Sequence, residues 1–305
     1  MATRIASFRS LSYELAKALS SFQSSGSKFR VLKTVTSSNL QPEDPKPPAC
    51  GQSPKTLFIL DSSFNPPTVA HQSMAQSALT RSFSDAFPRP HRLLLLFATM
   101  NADKAPSAAS FAQRLTLMTI LASELLASIE DNPDDYSMVP IDVGVTNVPY
   151  YTDKSAAISS EAKDCYPDSP KHIHLIGFDT FTRIFDPKYY MSFSPPFSAL
   201  SPYFDAGHRL RVTLRPDQEQ DSIAGQVAFI KRLEDGNMEK DGGMRSWAQQ
   251  VDFVLPNKNV GVSSTKVRKT AMAGQWQEVR KLCPPTVAEY VKMERLYLAV
   301  DQESK

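Results

Sequence analysis

The sequence predicts an α/β fold, a doubly wound parallel sheet with helices on both faces, and three observations carry that prediction. First, the runs at 57–60 (Leu-Phe-Ile-Leu) and 93–97 (Leu-Leu-Leu-Leu-Phe) are wholly apolar, as in strands covered on both sides. Second, segments of helical period separate the strand candidates. Val69, Met74 and Leu79 mark one, and Phe111, Leu115, Met118, Leu121 and Leu125 share a face of the next. Third, strand candidates end in chain-turning residues: Ser62-Ser63-Phe64-Asn65-Pro66-Pro67 after the first, and Gly177-Phe178-Asp179 after a later one. Strand, helix and strand in that order imply a right-handed parallel crossover.

The chain has 305 residues, enough for one large α/β domain or two smaller ones, and its 41% apolar content supports a real core. A formal net charge of +2 implies no strong field for nucleic acid or a membrane surface, although a local basic pocket remains open. No apolar run approaches membrane-spanning length. Three scattered cysteines, Cys50, Cys165 and Cys283, suggest neither a disulfide framework nor a zinc site. They fit a reducing compartment, so a cytoplasmic or nuclear protein is expected, with no metal held by side chains and room for a homo-oligomer.

Taken in order, residues 1–36 carry six basic residues against the lone Glu14, which resembles a mitochondrial presequence. The rival reading is an ordinary helix over 11–22 followed by a strand over 29–35. It is preferred because Leu11, Leu15, Leu19 and Phe22 form a core stripe. Residues 37–55, rich in Pro and Ser, read as a linker, 56–300 as the main domain and 301–305 as a tail. Beyond 57–60 and 93–97, strands are expected at 138–145, 172–176, 209–214 and 251–255, and helices at 111–127, 222–233 and 276–282, with part of a helix around 156–162. The aromatic, proline-rich stretch 187–207 reads as an irregular loop or lid over the site edge, and 234–245 as a flexible surface loop. His172 and His174 alternate with apolar residues. They read either as a metal pair or, with no further ligand cluster in view, as a polar strand face.

The candidate site residues lie at strand ends. The loop 62–68 leads into a helix start with His71 in its opening turn, where free backbone N–H groups and the helix dipole suit phosphate. Lys104 follows the second strand, either as a phosphate contact or as a solvated loop lysine. Arg114, in the first turn of its helix, opposes the dipole, which raises the chance that it points at a phosphate. Gly177 permits close backbone approach. Asp179 can accept hydrogen bonds from a sugar diol, or cap its helix. The run Ser263-Ser264-Thr265-Lys266-Val267-Arg268 offers hydroxyls, N–H groups and cations on a first helical turn, which suits a triphosphate tail.

These stretches resemble known motifs. Ser63-Phe64-Asn65-Pro66-Pro67-Thr68-x-Ala70-His71 is similar to the first signature of the adenylyltransferases that make NAD from nicotinamide mononucleotide, within the HxGH nucleotidyltransferase superfamily. Gly177-x-Asp179 resembles the second motif. Val262-Ser263-Ser264-Thr265-x-x-Arg268 resembles the ISSTxxR signature, with Val for Ile, and Tyr290 to Tyr297 resembles the family's closing segment. The likeness spans about 56–298 and fits a divergent fungal-type eukaryotic branch. Thr68 fills the first His/Thr position, while Ser62 and Ala70 replace glycines and the nicotinamide-stacking Trp expected after the 138–145 strand is absent.

The resemblance implies a Rossmann-like sheet of nucleotidyltransferase type and adenylyl transfer from ATP, with Mg²⁺, to nicotinamide mononucleotide. His71 would hold the α-phosphate, and Thr68 would place phosphates through its hydroxyl. The N–H groups of Ser63 and Phe64 would bind phosphates. Ser263, Ser264, Thr265 and Arg268 would take the β- and γ-phosphates, with Lys266 nearby, and Gly177 and Asp179 would seat the ribose. Lys104 and Arg114 would assist. Tyr150 or Tyr151 would stack in place of the Trp. The missing Trp leaves open another phosphorylated acceptor. A nucleotide-binding regulatory protein that has lost transfer, with or without ATPase activity, also remains.

Overall fold

The computed structural model describes residues 2–37, 52–100, 109–215, 222–257, 259 and 261–298. Seven strands form one sheet: β1 (Phe29–Val35), β2 (Thr56–Asp61), β3 (His91–Ala98), β4 (Ile141–Thr146), β5 (Lys171–Gly177), β6 (Arg209–Thr213) and β7 (Val251–Val254). Their order is β1-β4-β3-β2-β5-β6-β7, with β1 antiparallel to β4 and every other pairing parallel. From β2 the chain winds outward to β3 and β4, then crosses back to lay β5, β6 and β7 on the other side. This is the doubly wound, Rossmann-like order, and its direction reverses between β2 and β5. A crevice opens there, at the carboxyl ends of the strands.

The helices are α1 (Ala2–Ser24), α2 (Val69–Leu79), α3 (Arg81–Ser84), α4 (Phe111–Glu130), α5 (Tyr151–Glu161), α6 (Phe178–Ile184), α7 (Ser201–Asp205), α8 (Ile223–Glu234), α9 (Ser264–Met272), α10 (Trp276–Leu282) and α11 (Pro285–Met293). The unbroken apolar runs follow from cover on both faces. Phe58, Leu60, Leu93, Leu95 and Phe97 point into one core with side chains of α1, α4 and α11. Leu57, Ile59, Leu94 and Leu96 point the other way, against Ala157 and Ile158 of α5 and against Tyr166.

The N-terminal segment is part of this body. Leu11, Leu15, Leu19 and Phe22 are buried in the first core, α1 packs on α4, and β1 closes the sheet edge. The closure is polar as well. Asp142 of β4 is fully buried, accepts from Thr34 of β1 (2.6 Å) and from Tyr166 (2.7 Å), and pairs with Arg92 of β3 at 3.2 Å. Burial pushes the Asp142 carboxyl up, while Arg92 and the two hydroxyls pull it down. Only a fully bonded arrangement of this kind keeps a carboxylate in a core.

Two stretches differ from expectation. Residues 187–207 are not an irregular loop. They form two 3₁₀ turns and α7, and they bury Tyr190, Phe197, Leu200, Tyr203 and Phe204 in a third cluster with Trp247, which stacks on Phe204 at 4.7 Å. The 234–245 segment also packs: Met238 is buried and Gly242 takes a φ of 90°, a left-handed conformation that glycine adopts without strain.

His172 and His174 do share a strand face, but that face is buried rather than solvated, because β5 lies inside the sheet. His208 stacks on His172 at 4.2 Å and accepts the His172 backbone N–H. The side-chain nitrogens of His172 have no partner among the described residues. Burial holds His172 and His174 well below the ordinary imidazole range and lowers His208 to about 4. The folded protein therefore refuses protons that the unfolded chain takes up near pH 6.5. Stability is expected to be complete above that pH and to fall as the pH drops from about 6.5 toward 4, by up to roughly 1.4 kcal/mol per pH unit per histidine. Urea unfolding at pH 7.5, 6.5 and 5.5 measures this slope, and His172→Leu is expected to reduce it.

Candidate active site

A cavity of about 1470 Å³ opens at the carboxyl ends of β2, β5 and β6. Beyond β2 the chain turns through 62–68 before α2 begins. Phe64 has a φ of 44° and a fully buried side chain, with its ring 5.3 Å from that of His71. Thr68 caps α2 in extended geometry. Its backbone N–H donates to Nδ1 of His71 at 3.0 Å, and its hydroxyl lies 2.9 Å from the same nitrogen. An Nδ1 that accepts from a backbone N–H carries a lone pair, so in the neutral ring the proton sits on Nε2. Nε2 lies 2.9 Å from Ser62 Oγ and faces the cavity, where it can donate to an anion.

The loop is held by the far end of the chain. Arg268 donates from Nη1 to the Asn65 carbonyl at 2.8 Å and from Nη2 to Thr265 Oγ1 at 3.0 Å. Ser264 donates to the Pro66 carbonyl at 2.8 Å, and the buried Tyr297 hydroxyl donates to Asn65 Oδ1 at 2.7 Å. Burial raises the Tyr297 hydroxyl well above its usual range, so it stays a donor. Ser263 caps α9 by accepting the Lys266 N–H at 3.2 Å. The first turn of α9 thus presents Ser263, Ser264, Thr265 and Arg268 to the cavity at the positive end of a helix dipole.

Other walls carry charge and aromatic rings. Arg114 is buried between Phe97 and Phe111 (5.6 and 5.4 Å to the ring centroids) and donates to the Ala109 carbonyl at 3.1 Å. Burial, reinforced by Arg268, lowers its pKa, whereas Tyr297 raises it. Asp179 in the first turn of α6 pairs with Arg215, which follows β6. The Arg215 backbone is gripped on both sides by the buried Gln226, which accepts its N–H at 2.9 Å and donates to its carbonyl at 3.1 Å. Asp61, the last residue of β2, pairs with Lys154 of α5, and both are nearly buried. Lys154 Nζ lies 5.0 Å from the Tyr151 ring, and Tyr150 lies 6.4 Å from Tyr190.

Of the sequence-derived candidates, Ser63, His71, Arg114, Gly177, Asp179, Ser263, Ser264, Thr265 and Arg268 line this cavity. Three do not. Thr68 is buried behind His71, so its hydroxyl serves the ring rather than a phosphate. The Phe64 side chain fills the core, leaving only its backbone for a ligand. Lys266 is exposed and faces away, because position 266 lies round the helix from 264, 265 and 268. Lys104 lies outside the described residues. Among the described residues no group of three His, Cys, Asp or Glu side chains is arranged around a metal position. Trp247 is buried in the third cluster, away from the cavity, while Tyr150, Tyr151, Tyr189 and Tyr190 line it. Sequence reasoning assigned no role to Asp61, Lys154, Arg183, Arg215 or Tyr297. The strand-end positions of Asp61 and Arg215 were the available signal.

No family model matches the chain. It is 27% identical over 247 residues, covering 80% of this chain and 87% of the other, to a Schizosaccharomyces pombe protein named "Putative nicotinamide mononucleotide adenylyltransferase". The resemblance drawn from the three motifs therefore extends over most of the chain. Among solved structures, two of Plasmodium falciparum nicotinic acid mononucleotide adenylyltransferase align with 80% of this chain and 97% of theirs. The one complexed with NaAD has 15% identity and a TM-score of 0.44, and the one complexed with APC has 14% and 0.45.

Because Tyr297 anchors the loop through Asn65, Tyr297→Phe is expected to cost about 1–3 kcal/mol of stability, since it leaves the buried Asn65 oxygen without that donor. It is also expected to weaken ATP binding several-fold. Thermal unfolding and calorimetric ATP titration of the folded variant check both.

Proposed function

We propose that this chain transfers the adenylyl group of ATP to nicotinamide mononucleotide, giving NAD and pyrophosphate. The observation that carries the proposal is the juxtaposition of His71 with the first turn of α9 across the Asn65–Pro66 turn, in a cavity at the β2–β5 switch point. The motif resemblance and the similarity to the S. pombe protein support the same reading.

In this reaction a 5′-phosphate oxygen of the mononucleotide attacks the α-phosphorus of ATP in line. The bond from the α-phosphorus to the bridging oxygen breaks, and its electron pair leaves with pyrophosphate. The attacking phosphate is already anionic, so no base has to deprotonate it. The protein's work is positioning and charge stabilisation. His71 Nε2–H exchanges Ser62 for a non-bridging α-phosphate oxygen, with its tautomer fixed by Thr68. Ser264, Thr265 and Arg268 receive the β- and γ-phosphates. Arg114 adds a desolvated positive charge beside them. Asp179 exchanges Arg215 for the hydroxyls of the adenosine ribose. ATP enters as its Mg²⁺ complex, the ion being carried on phosphate and water oxygens. Tyr150, the most exposed of the cavity tyrosines, stacks on the acceptor's ring where the resembled family uses a Trp.

That substitution of tyrosine for Trp also favours a second reading, transfer to another phosphorylated acceptor. Purified protein with ATP, Mg²⁺ and nicotinamide mononucleotide is expected to make NAD, detected with a coupled dehydrogenase. His71→Ala is expected to lower kcat by about 10²–10³-fold while its unfolding temperature stays close to that of the parent. Undiminished NAD formation by the folded variant would remove His71 from this role. ATP binding without NAD formation in the parent protein would favour the second reading.

A further inference from the structure

We propose that the buried Asp61–Lys154 pair reads the base of the acceptor and selects a ring bearing a carboxamide over one bearing a carboxylate. The inference rests on the proposed reaction and assigns the residues that select its acceptor.

The pair is unusual for its place. The side chains of Lys154 and Asp61 are only 6% and 7% exposed, yet both line the cavity, so what remains exposed faces the space a ligand would occupy. A buried ion pair adds little to stability over apolar residues of the same size. One turn further along α5, Ala157 and Ile158 sit in an ordinary apolar cluster. A reason for keeping two charges there is therefore to be sought in the cavity.

Position points to the acceptor's ring. Asp61 immediately precedes Ser62, whose hydroxyl touches His71, so the pair lies one residue from the group assigned to the reacting phosphate. On its other side, Lys154 stands one helical turn beyond Tyr151, 5.0 Å from its ring, on the wall that carries Tyr150. A mononucleotide with its phosphate at His71 and its ring against the tyrosines passes over this pair. The tyrosine faces suit a pyridinium, which is a flat cation.

Chemistry then decides between amide and acid. The pair offers an acceptor, the Asp61 carboxylate, beside a donor, the Lys154 ammonium. A primary carboxamide carries the complementary set, an N–H donor and a C=O acceptor side by side. A carboxylate carries two acceptors and a negative charge. One oxygen would find Lys154, and the other would meet Asp61 at like charge in a desolvated place. Selection thus comes as much from the clash with the acid as from the fit of the amide.

The test compares kcat/KM for nicotinamide mononucleotide and nicotinate mononucleotide in the whole protein, with ATP and Mg²⁺ saturating. The parent is expected to favour the amide by about tenfold or more. Asp61→Asn removes the repulsion and is expected to narrow that ratio at least about tenfold. Lys154→Gln removes the pair's attraction for the acid and is expected to widen it. A merely structural pair would lower both activities together and leave the ratio unmoved. The KM for ATP is expected to stay the same in both variants. Should one variant fail to fold, the other decides, because each predicts its own direction. Product from both mononucleotides with an unchanged ratio in a folded variant, or a parent that favours the acid, overturns this inference alone. No dinucleotide product from either mononucleotide overturns the proposed reaction and this inference with it.

Discussion

The turn at Asn65 and Pro66 is the constraint on which the rest of the site depends. It brings backbone carbonyls and an amide side chain to buried positions, and such groups must be bonded. Their partners come from the other end of the chain: Arg268 and Ser264 for the carbonyls, Tyr297 for the Asn65 side chain. The loop over 62–68 therefore takes its shape only when the C-terminal helices are docked. Docking is driven by burial of Val267, Ala271, Val279, Leu282, Val287 and Val291 in the same core that holds Phe58 and Leu60 of β2. Ser264 and Arg268 do two things at once. They fix the loop through one set of atoms and line the cavity with the rest.

The sheet determines where that assembly sits. Reversal of winding between β2 and β5 leaves room at their carboxyl ends, and the loops after β2, β5 and β6 all reach it. Charges are matched to the same geometry. His71 is aimed by Thr68 from behind, and the Arg215 backbone is held by Gln226, so both rest on a buried polar support. Such support keeps side chains in place without reorganisation when charge develops.

How much of this was legible in the sequence depends on whether the signal was local. The apolar runs of β2 and β3 fitted strands covered on both faces, and Leu11, Leu15, Leu19 and Phe22 identified a packed helix. Motifs at strand ends located His71, Asp179 and the first turn of α9. What was missed depends on distant partners. The burial of Phe197 and Phe204 follows from Trp247, more than forty residues away, and the 3₁₀ turns between them carry no clear period. His172 and His174 alternate as in a half-exposed strand, but β5 is an interior strand, so the alternation marks two buried faces instead. The motif resemblance gave the Thr68 hydroxyl, at a helix start, a phosphate to place. The same position lets it cap the helix and hold His71. Lys154 gave no signal, since only the fold brings it to Asp61.

Two ion pairs in the cavity behave differently, and the difference bears on how a polyanion is received. Among the described residues, the cavity lining has Arg114, Lys154, Arg183, Arg215 and Arg268 against Asp61 and Asp179. The Asp179–Arg215 pair is close to half exposed at both ends. Water screens such a pair, which is worth about 0–1 kcal/mol, so it opens at little cost to free an acceptor for a sugar and a cation for a phosphate. Gln226 keeps the Arg215 backbone in place when it does. The Asp61–Lys154 pair is desolvated, and separating it would leave two buried charges unmatched. It stays closed and is met by the ligand as a fixed donor–acceptor edge. The cavity thus joins a yielding pair on the side assigned to ATP to a rigid pair on the side assigned to the acceptor. That division fits a site that must accommodate a large charge at one end and discriminate a small group at the other.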